Sequence, residues 1–362
     1  MDGASADILR RGMSAVNTGR KSNSIGWSLI FLKVRGAWLT GRVITEVWRQ
    51  VSSFAGYSFS KAHSASFAVE SYQSLFLKTY YAREFMVGVL NNYGGFYSRW
   101  LYVHELQKAG AIVHLPCVNN SESAVCIKGI DAWLGFTGIQ GLESTFIESI
   151  PHEQNKNGHF GDLENFVKRT NIGLEQAIIL IRAGALRFTG KSKKVLLWDV
   201  HTLLGNKPKS FDQPELFHVE TKEYAMPELV NTKLEDAYHE LELLGFPLTL
   251  SMFDLLKTPF RGDVKAAELG RHIGKLTKMV GRYVCEKTVH TKNNKTMWFG
   301  TFLDFDGNFF DTTHFPNNTP AYPFRGTGCY LIFGKVVADF GFPSLEVIRF
   351  AKLDIWENPV MG

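Results

Sequence analysis

Residues 276–353 constrain the architecture more than any other part of the chain. Short aromatic and β-branched runs at 279–284, 297–302, 309–315, 328–337 and 345–350 are separated by turn chemistry. Lys292-Asn293-Asn294-Lys295 turns the first pair of runs, and Asp306-Gly307 is a strong two-residue hairpin signal for the second. Gly281 sits inside the first run, where it lets a strand kink. Five short strands with a kinked first member read as a small barrel of the OB type, an architecture used to bind single strands. Lys287, His290, Lys292 and Lys295 gather at the first hairpin. Lys287, Lys292, Lys295 and Trp298 are the candidates for contact with a single strand. Trp298 has a second reading as barrel core, because alternate strand positions must bury something.

The rest of the chain is helical by periodicity. Val69, Tyr72 and Phe76 recur at helical spacing, with Ala68, Tyr72 and Leu75 as a second ridge. Ser60 is a suitable N-cap, which puts Lys61 and His63 in the first turn of this helix. The positive end of a helix dipole beside a Lys and a His suits phosphate, although a solvated helix start explains the same residues. Further helices are expected over 83–90, 98–109 and 234–244, the last stopped by Gly245. A short extended run ends at Pro116. The fold class is therefore multidomain α+β, a helical region followed by a small β-barrel.

With 362 residues the chain has room for two or three domains, and 45% hydrophobic against 21% charged residues describes a globular protein. A net charge of +5 allows local basic surfaces without proving a nucleic-acid partner. The four cysteines, Cys117, Cys126, Cys285 and Cys329, have no metal-ligand spacing and are expected as buried free thiols. No apolar run reaches membrane length and the N-terminus lacks the features of a signal peptide, so a cytoplasmic location is expected.

The run Phe59-Ser60-Lys61-Ala62-His63-Ser64-Ala65-Ser66-Phe67-Ala68, with Ser71-Tyr72-Gln73 and Leu77-Lys78 after it, resembles the fingers signature of the bacterial DNA polymerase III alpha subunit, the C-family replicative polymerase. The resemblance implies that Lys61 and His63 contact the phosphates of an incoming nucleoside triphosphate. Residues 4–13, ASADILRRGM, are similar to a second fingers segment of that family, which implies the same role for Arg10 and Arg11; a solvated helix face is the plain alternative. Residues 14–38 depart from the family pattern.

Three further stretches carry the resemblance. Gly135-Phe136-Thr137-Gly138-Ile139-Gln140-Gly141-Leu142-Glu143 is similar to the family's helix-hairpin-helix, whose turn offers backbone N–H groups to a DNA phosphate. Gly141 keeps that role open, while Glu143 replaces the second glycine and repels phosphate. Lys191, Lys193 and Lys194 follow, either as a solvated face or as backbone-phosphate contacts. Gln213-Pro214-Glu215-Leu216-Phe217 lies in a proline-rich stretch and resembles the sliding-clamp motif of bacterial polymerases, with Gln213, Leu216 and Phe217 as anchors.

Taken together, the resemblance covers almost the whole chain but only the family's C-terminal part. The expected organisation is fingers over 1–115, a helix-hairpin-helix module over 116–205, a clamp-motif linker over 206–232, a helical connector over 233–269 and the OB domain over 270–362. The implied activity is that of a DNA-directed DNA polymerase, a nucleotidyltransferase using deoxynucleoside triphosphates and Mg²⁺. Its palm aspartates lie upstream in the family, so no metal ligand is expected here and the chain alone is expected to be inactive. Expected partners are primer–template and single-stranded DNA, the clamp and other holoenzyme subunits. The alternative is a non-catalytic single-strand- and clamp-binding module or a truncated relic.

Overall fold

The computed structural model describes residues 61–205, 231–291, 295–318 and 320–359, together with Arg42, Thr45, Glu46, Arg49 and Gln50. Arg10, Arg11, Lys292 and the segment carrying Gln213, Leu216 and Phe217 lie outside the described residues. The chain divides into two compact units, residues 1–80 and 81–362.

In the first unit, α1 (Lys61–Tyr80) is the helix expected from the Val69, Tyr72 and Phe76 periodicity. Both apolar ridges are exposed, with Val69 at 56% and Tyr72 at 72% accessible.

The second unit begins with α2 (Ala82–Asn91) and α3 (Arg99–Lys108). A small sheet follows, made of β1 (Ile112–His114), β2 (Cys126–Lys128) and β3 (Asp131–Trp133) in the order β1-β3-β2, with β1 and β3 parallel. A 3-10 turn at Phe136–Gly138 leads to α4 (Ser144–Asn157), α5 (Leu163–Thr170), α6 (Leu174–Arg182) and α7 (Lys193–Leu204). Beyond the undescribed segment, α8 (Lys233–Leu244) opens with a capping box between Thr232 and Glu235, and Gly245 ends it in the left-handed region.

These helices share one core. Met86 and Leu106 of the first pair join Val118, Phe136, Ile150, Phe166, Leu180 and Phe246 in a single apolar cluster. The 117–121 segment, expected to divide two modules, is bonded into that core. Asn119 donates to Phe160 O and accepts from Phe160 N at 3.0 and 2.8 Å, and the Ser121 hydroxyl donates to Leu134 O.

The barrel holds β4 (Leu276–His290), β5 (Thr296–Leu303), β6 (Phe309–His314), β7 (Cys329–Asp339) and β8 (Phe342–Lys352). It closes in the order β4-β5-β6-β8-β7. Only β6 and β8 pair in parallel; the other four ladders are antiparallel. That order, with one long first strand shared between β7 and β5, is the OB topology. The sharing requires β4 to bend, and Gly281 sits where it does. A Cβ at Gly281 would lie 2.6 Å from the Phe310 ring and 2.8 Å from Phe302 Cβ, so any side chain would part the barrel's centre. Phe302, Phe310, Tyr330 and Phe350 fill the interior, with Leu269 of the 3-10 helix Ala266–His272 joined to them.

The barrel is mounted on the helices. Leu101 of α3 packs with Val284 and Leu303, and the Arg282 guanidinium lies 3.5 Å from the centre of the Trp100 ring. Burial there draws the Arg282 pKa down to about 10. On the other side Ala237 of α8 joins Phe253, Leu255, Val280 and Cys329 in a second apolar seam. Cys329 is buried and its thiol is pushed up to about 12, but Cys117, Cys126 and Cys285 are only half-buried, which corrects the expectation of four buried thiols.

Candidate nucleic-acid interface

The barrel offers the clearest surface. On a strand pair, residues that face each other across the ladder share a side of the sheet. Lys287 of β4 pairs with Phe299 of β5, and Phe299 pairs with Thr313 of β6. Lys287 and Phe299 are exposed, Phe299 at 44%. A cation, an aromatic face and a hydroxyl thus run in one outward row across three strands. Lys295 is also exposed, at the hairpin where its N–H donates to the Thr291 hydroxyl. Neither Lys287 nor Lys295 has a carboxylate within ion-pair distance among the described residues.

Trp298 lies in the neighbouring row, opposite Thr288 and His314, and so faces inward. Its ring packs edge-on to Phe324 at 5.6 Å and His314 at 6.4 Å. The structure therefore gives the exposed aromatic position to Phe299 and leaves Trp298 half-buried among rings. The alternation of strand faces carried that signal, but not which alternate face was free. Farther along the same outer side, Leu303 is covered by Leu101 of α3, so the open part of this face is its Phe299 end.

Behind Trp298, the His314 ring is buried and neutral. The Thr312 hydroxyl donates to Gly300 O at 3.0 Å, which leaves it to accept from the His314 Nε2–H, also at 3.0 Å. Burial pulls the His314 pKa down to about 4.

The helix-hairpin-helix turn is organised differently. Gly141 adopts φ +81°, and Glu143 caps α4. The backbone N–H of Gln140 donates to Leu243 O at 2.8 Å, and that of Glu143 donates to Gln176 Oε1 at 2.9 Å. Gln176 Nε2 in turn donates to Gly141 O. These donors point into the protein, toward α6 and α8, where a phosphate would need them outward.

The lysines near the start of α7 are likewise engaged. Lys193 is buried, its Nζ 2.7 Å from Asp236 and 2.8 Å from Arg182 O, and desolvation lowers its pKa despite the Asp236 carboxylate. Lys194 pairs with Glu235 at 2.8 Å and Lys191 with Asp199 at 2.8 Å. Lys193 is thus a packing residue between α7 and α8, which corrects its reading as a surface phosphate contact. Lys191 and Lys194 keep partial exposure but carry their own carboxylates.

On α1, Lys61 opens the helix and His63 is exposed in its first turn. The sequence does contain one Asp-x-Asp pair, Asp304-Phe305-Asp306. Its carboxylates build a hairpin: Asp304 accepts from Ala266 N and Asn308 N, both at 2.8 Å, and Asp306 pairs with Lys265. With their oxygens so engaged, these residues do not fit a pair of metal ions. No cluster of three or more His, Cys, Asp or Glu able to hold a metal occurs among the described residues. No helix among them is long and apolar enough to cross a membrane.

A helix-hairpin-helix motif family matches residues 110–196. The DNA polymerase III subunit alpha of Borreliella burgdorferi is 28% identical over 83% of this chain and 28% of its own length. The corresponding subunit of Treponema pallidum is 29% identical over 73% of this chain and 24% of its own length. The error-prone DNA polymerase of Bdellovibrio bacteriovorus is 29% identical over 44% of this chain and 15% of its own. The chain is thus similar to the bacterial DNA polymerase III alpha subunits over its greater part, and to an error-prone polymerase over a shorter stretch. It spans about a quarter of the length of the alpha subunits just named. These similarities, the hairpin motif and the closed barrel agree with the resemblance carried by the signature residues.

Proposed function

We propose that this chain is the DNA-facing portion of a C-family DNA polymerase and that its barrel holds single-stranded DNA. The observation that carries the reading is the outward row of Lys287, Phe299 and Thr313 in a relative of alpha subunits. Base stacking on Phe299 tolerates any sequence, and Lys287 supplies the charge that tracks a backbone phosphate. Lys295 extends the cationic edge at the hairpin, and Lys292 joins the proposal from the sequence alone. Arg10, Arg11, Lys61 and His63 would face the triphosphate of an incoming nucleotide. The reaction of the complete polymerase would be nucleotidyl transfer, to which a bound Mg²⁺ would supply charge stabilisation at the triphosphate. The carboxylates that would hold that metal are not found among the described residues, and in this reading the chain alone would leave a primer unextended. Gln213, Leu216 and Phe217 would dock in an apolar pocket of a sliding clamp.

The test is a salt titration of single-stranded DNA binding by fluorescence anisotropy. Phe299→Ala should weaken binding about tenfold, as loss of one base stack of roughly 1–3 kcal/mol implies. Lys287→Ala should weaken it and reduce the salt slope by about 0.7, one phosphate on a single strand. Unchanged affinity in both variants would remove the barrel from the DNA path.

A further inference from the structure

A second site stands apart from the barrel, between the turn that joins α2 to α3 and the hairpin module. A cavity of about 340 Å³ opens there, with Asn91, Tyr93, Gly94, Arg99, Tyr102 and Thr137 among its walls. That volume is at the small end of the range for specific ligand sites. Its walls are fixed. The Asn91 side chain donates to Val125 O and accepts from Val125 N at 2.9 and 2.8 Å, joining α2 to the start of β2. Gly94, at φ +68°, lies against the Tyr102 ring, where a Cβ would come within 2.2 Å of a ring carbon.

Arg99 is the unusual member. Its guanidinium is half-buried, and desolvation lowers its pKa. Among the described residues no carboxylate or carbonyl accepts from it, in contrast with the engaged Arg169 and Arg182. It rests against the backbone of Gly138, where a Cβ would fall 1.8 Å from a guanidinium nitrogen, so the absence of a side chain at 138 makes its seat. A half-buried guanidinium has shed part of its water without gaining an anion, and its planar fork matches phosphate oxygens. Beside it the chain presents rings to solvent. Tyr93 is held at φ +62°, a conformation rare for a non-glycine residue. Tyr93 is 89% and Phe96 79% exposed.

We propose that this cavity is a nucleotide pocket, in which Arg99 takes a phosphate and the Tyr93 ring at its mouth takes the base. The phosphate belongs either to a free nucleotide or to a single strand threading the pocket, and the two are separable. The site does not depend on the barrel row: it uses neither Lys287 nor Phe299.

Titration calorimetry on the full chain with thymidine monophosphate, thymidine and an oligothymidylate tests it. The monophosphate should bind and thymidine should not. Arg99→Gln should weaken the monophosphate by about tenfold or more, the size of a lost hydrogen bond to a charged group. Gly138→Ala should do the same by displacing the guanidinium while Arg99 remains, and Arg99→Lys should restore part of the affinity. Melting curves that match wild type show that each variant is folded. Phe299→Ala should leave monophosphate binding unchanged, which separates failure here from failure of the barrel reading. If the oligothymidylate displaces the monophosphate in a manner sensitive to Arg99→Gln, the ligand is a strand; if it does not, the ligand is a free nucleotide. Absence of monophosphate binding, equal binding of thymidine, or equal binding by wild type, Arg99→Gln and Gly138→Ala would overturn the proposal.

Discussion

The hairpin module and the barrel both carry lysines that the sequence offers as DNA contacts, yet they use them in opposite ways. At α7 the lysines face α8 or their own helix, and each has a carboxylate within 2.8 Å. On the barrel Lys287 and Lys295 are exposed, and Lys287 lies opposite the exposed Phe299. The same residue type holds two helices together in one region and remains available in the other. Counting cations cannot distinguish the two; the positions of the acids can.

The comparison is most sharply broken at Lys193. Lys193→Ala should cost about 3 kcal/mol of stability, because it strands the Asp236 carboxylate in a largely buried seam. It should leave the affinity of the folded protein for single strands unchanged. Urea unfolding and anisotropy on one preparation measure both quantities, and a loss of affinity with unchanged stability would place Lys193 on the DNA.

Next in size is an acid effect confined to the barrel. A histidine whose folded pKa lies below its unfolded value binds fewer protons in the native state. Its favourable neutral state is intact above pH 6.5, and stability falls as the pH drops toward 4. The full effect is on the order of 3 kcal/mol. Denaturant midpoints of the barrel's tryptophan signal between pH 7 and pH 4.5 should show the decline, and His314→Gln should flatten it.

Phe299→Ala comes third, at roughly 1–3 kcal/mol of single-strand affinity with little change in stability. The smallest effect is expected at Lys191, a half-exposed residue paired with Asp199. Lys191→Ala should change stability by no more than about 0.5 kcal/mol and DNA affinity hardly at all. If it lowers affinity as much as Lys287→Ala, the hairpin module shares the strand with the barrel and the contrast between them fails.

The barrel was legible because its signals are local. Alternating runs, Asp306-Gly307 and Gly281 each act within a few residues, and together they specify five strands and a bend. Helix ends were legible for the same reason, as Gly245 illustrates. The engagement of Lys193 was not, because its partner Asp236 lies beyond a long proline-rich segment. The free face of β5 was hidden as well. Whether Phe299 or Trp298 meets solvent follows from which side closes the barrel, and α3 decides how much of the outer side stays open. The seat of Arg99 depends on a bare backbone at Gly138 supplied by another module. Asp304-x-Asp306 shows the converse: a spacing that suits metal chemistry serves here to fix a hairpin to Ala266 and Lys265.

The pairs Lys193–Asp236 and Lys194–Glu235 also bear on the stretch between α7 and α8 that holds Gln213, Leu216 and Phe217. They join the first turn of one helix to the first turn of the other, and Ala237 continues into the seam with Val280 and Cys329. The two pieces that flank the stretch are therefore fastened to each other without it. A protease that nicks the chain once within residues 206–230 should yield two fragments that still co-elute as one particle and separate only in denaturant.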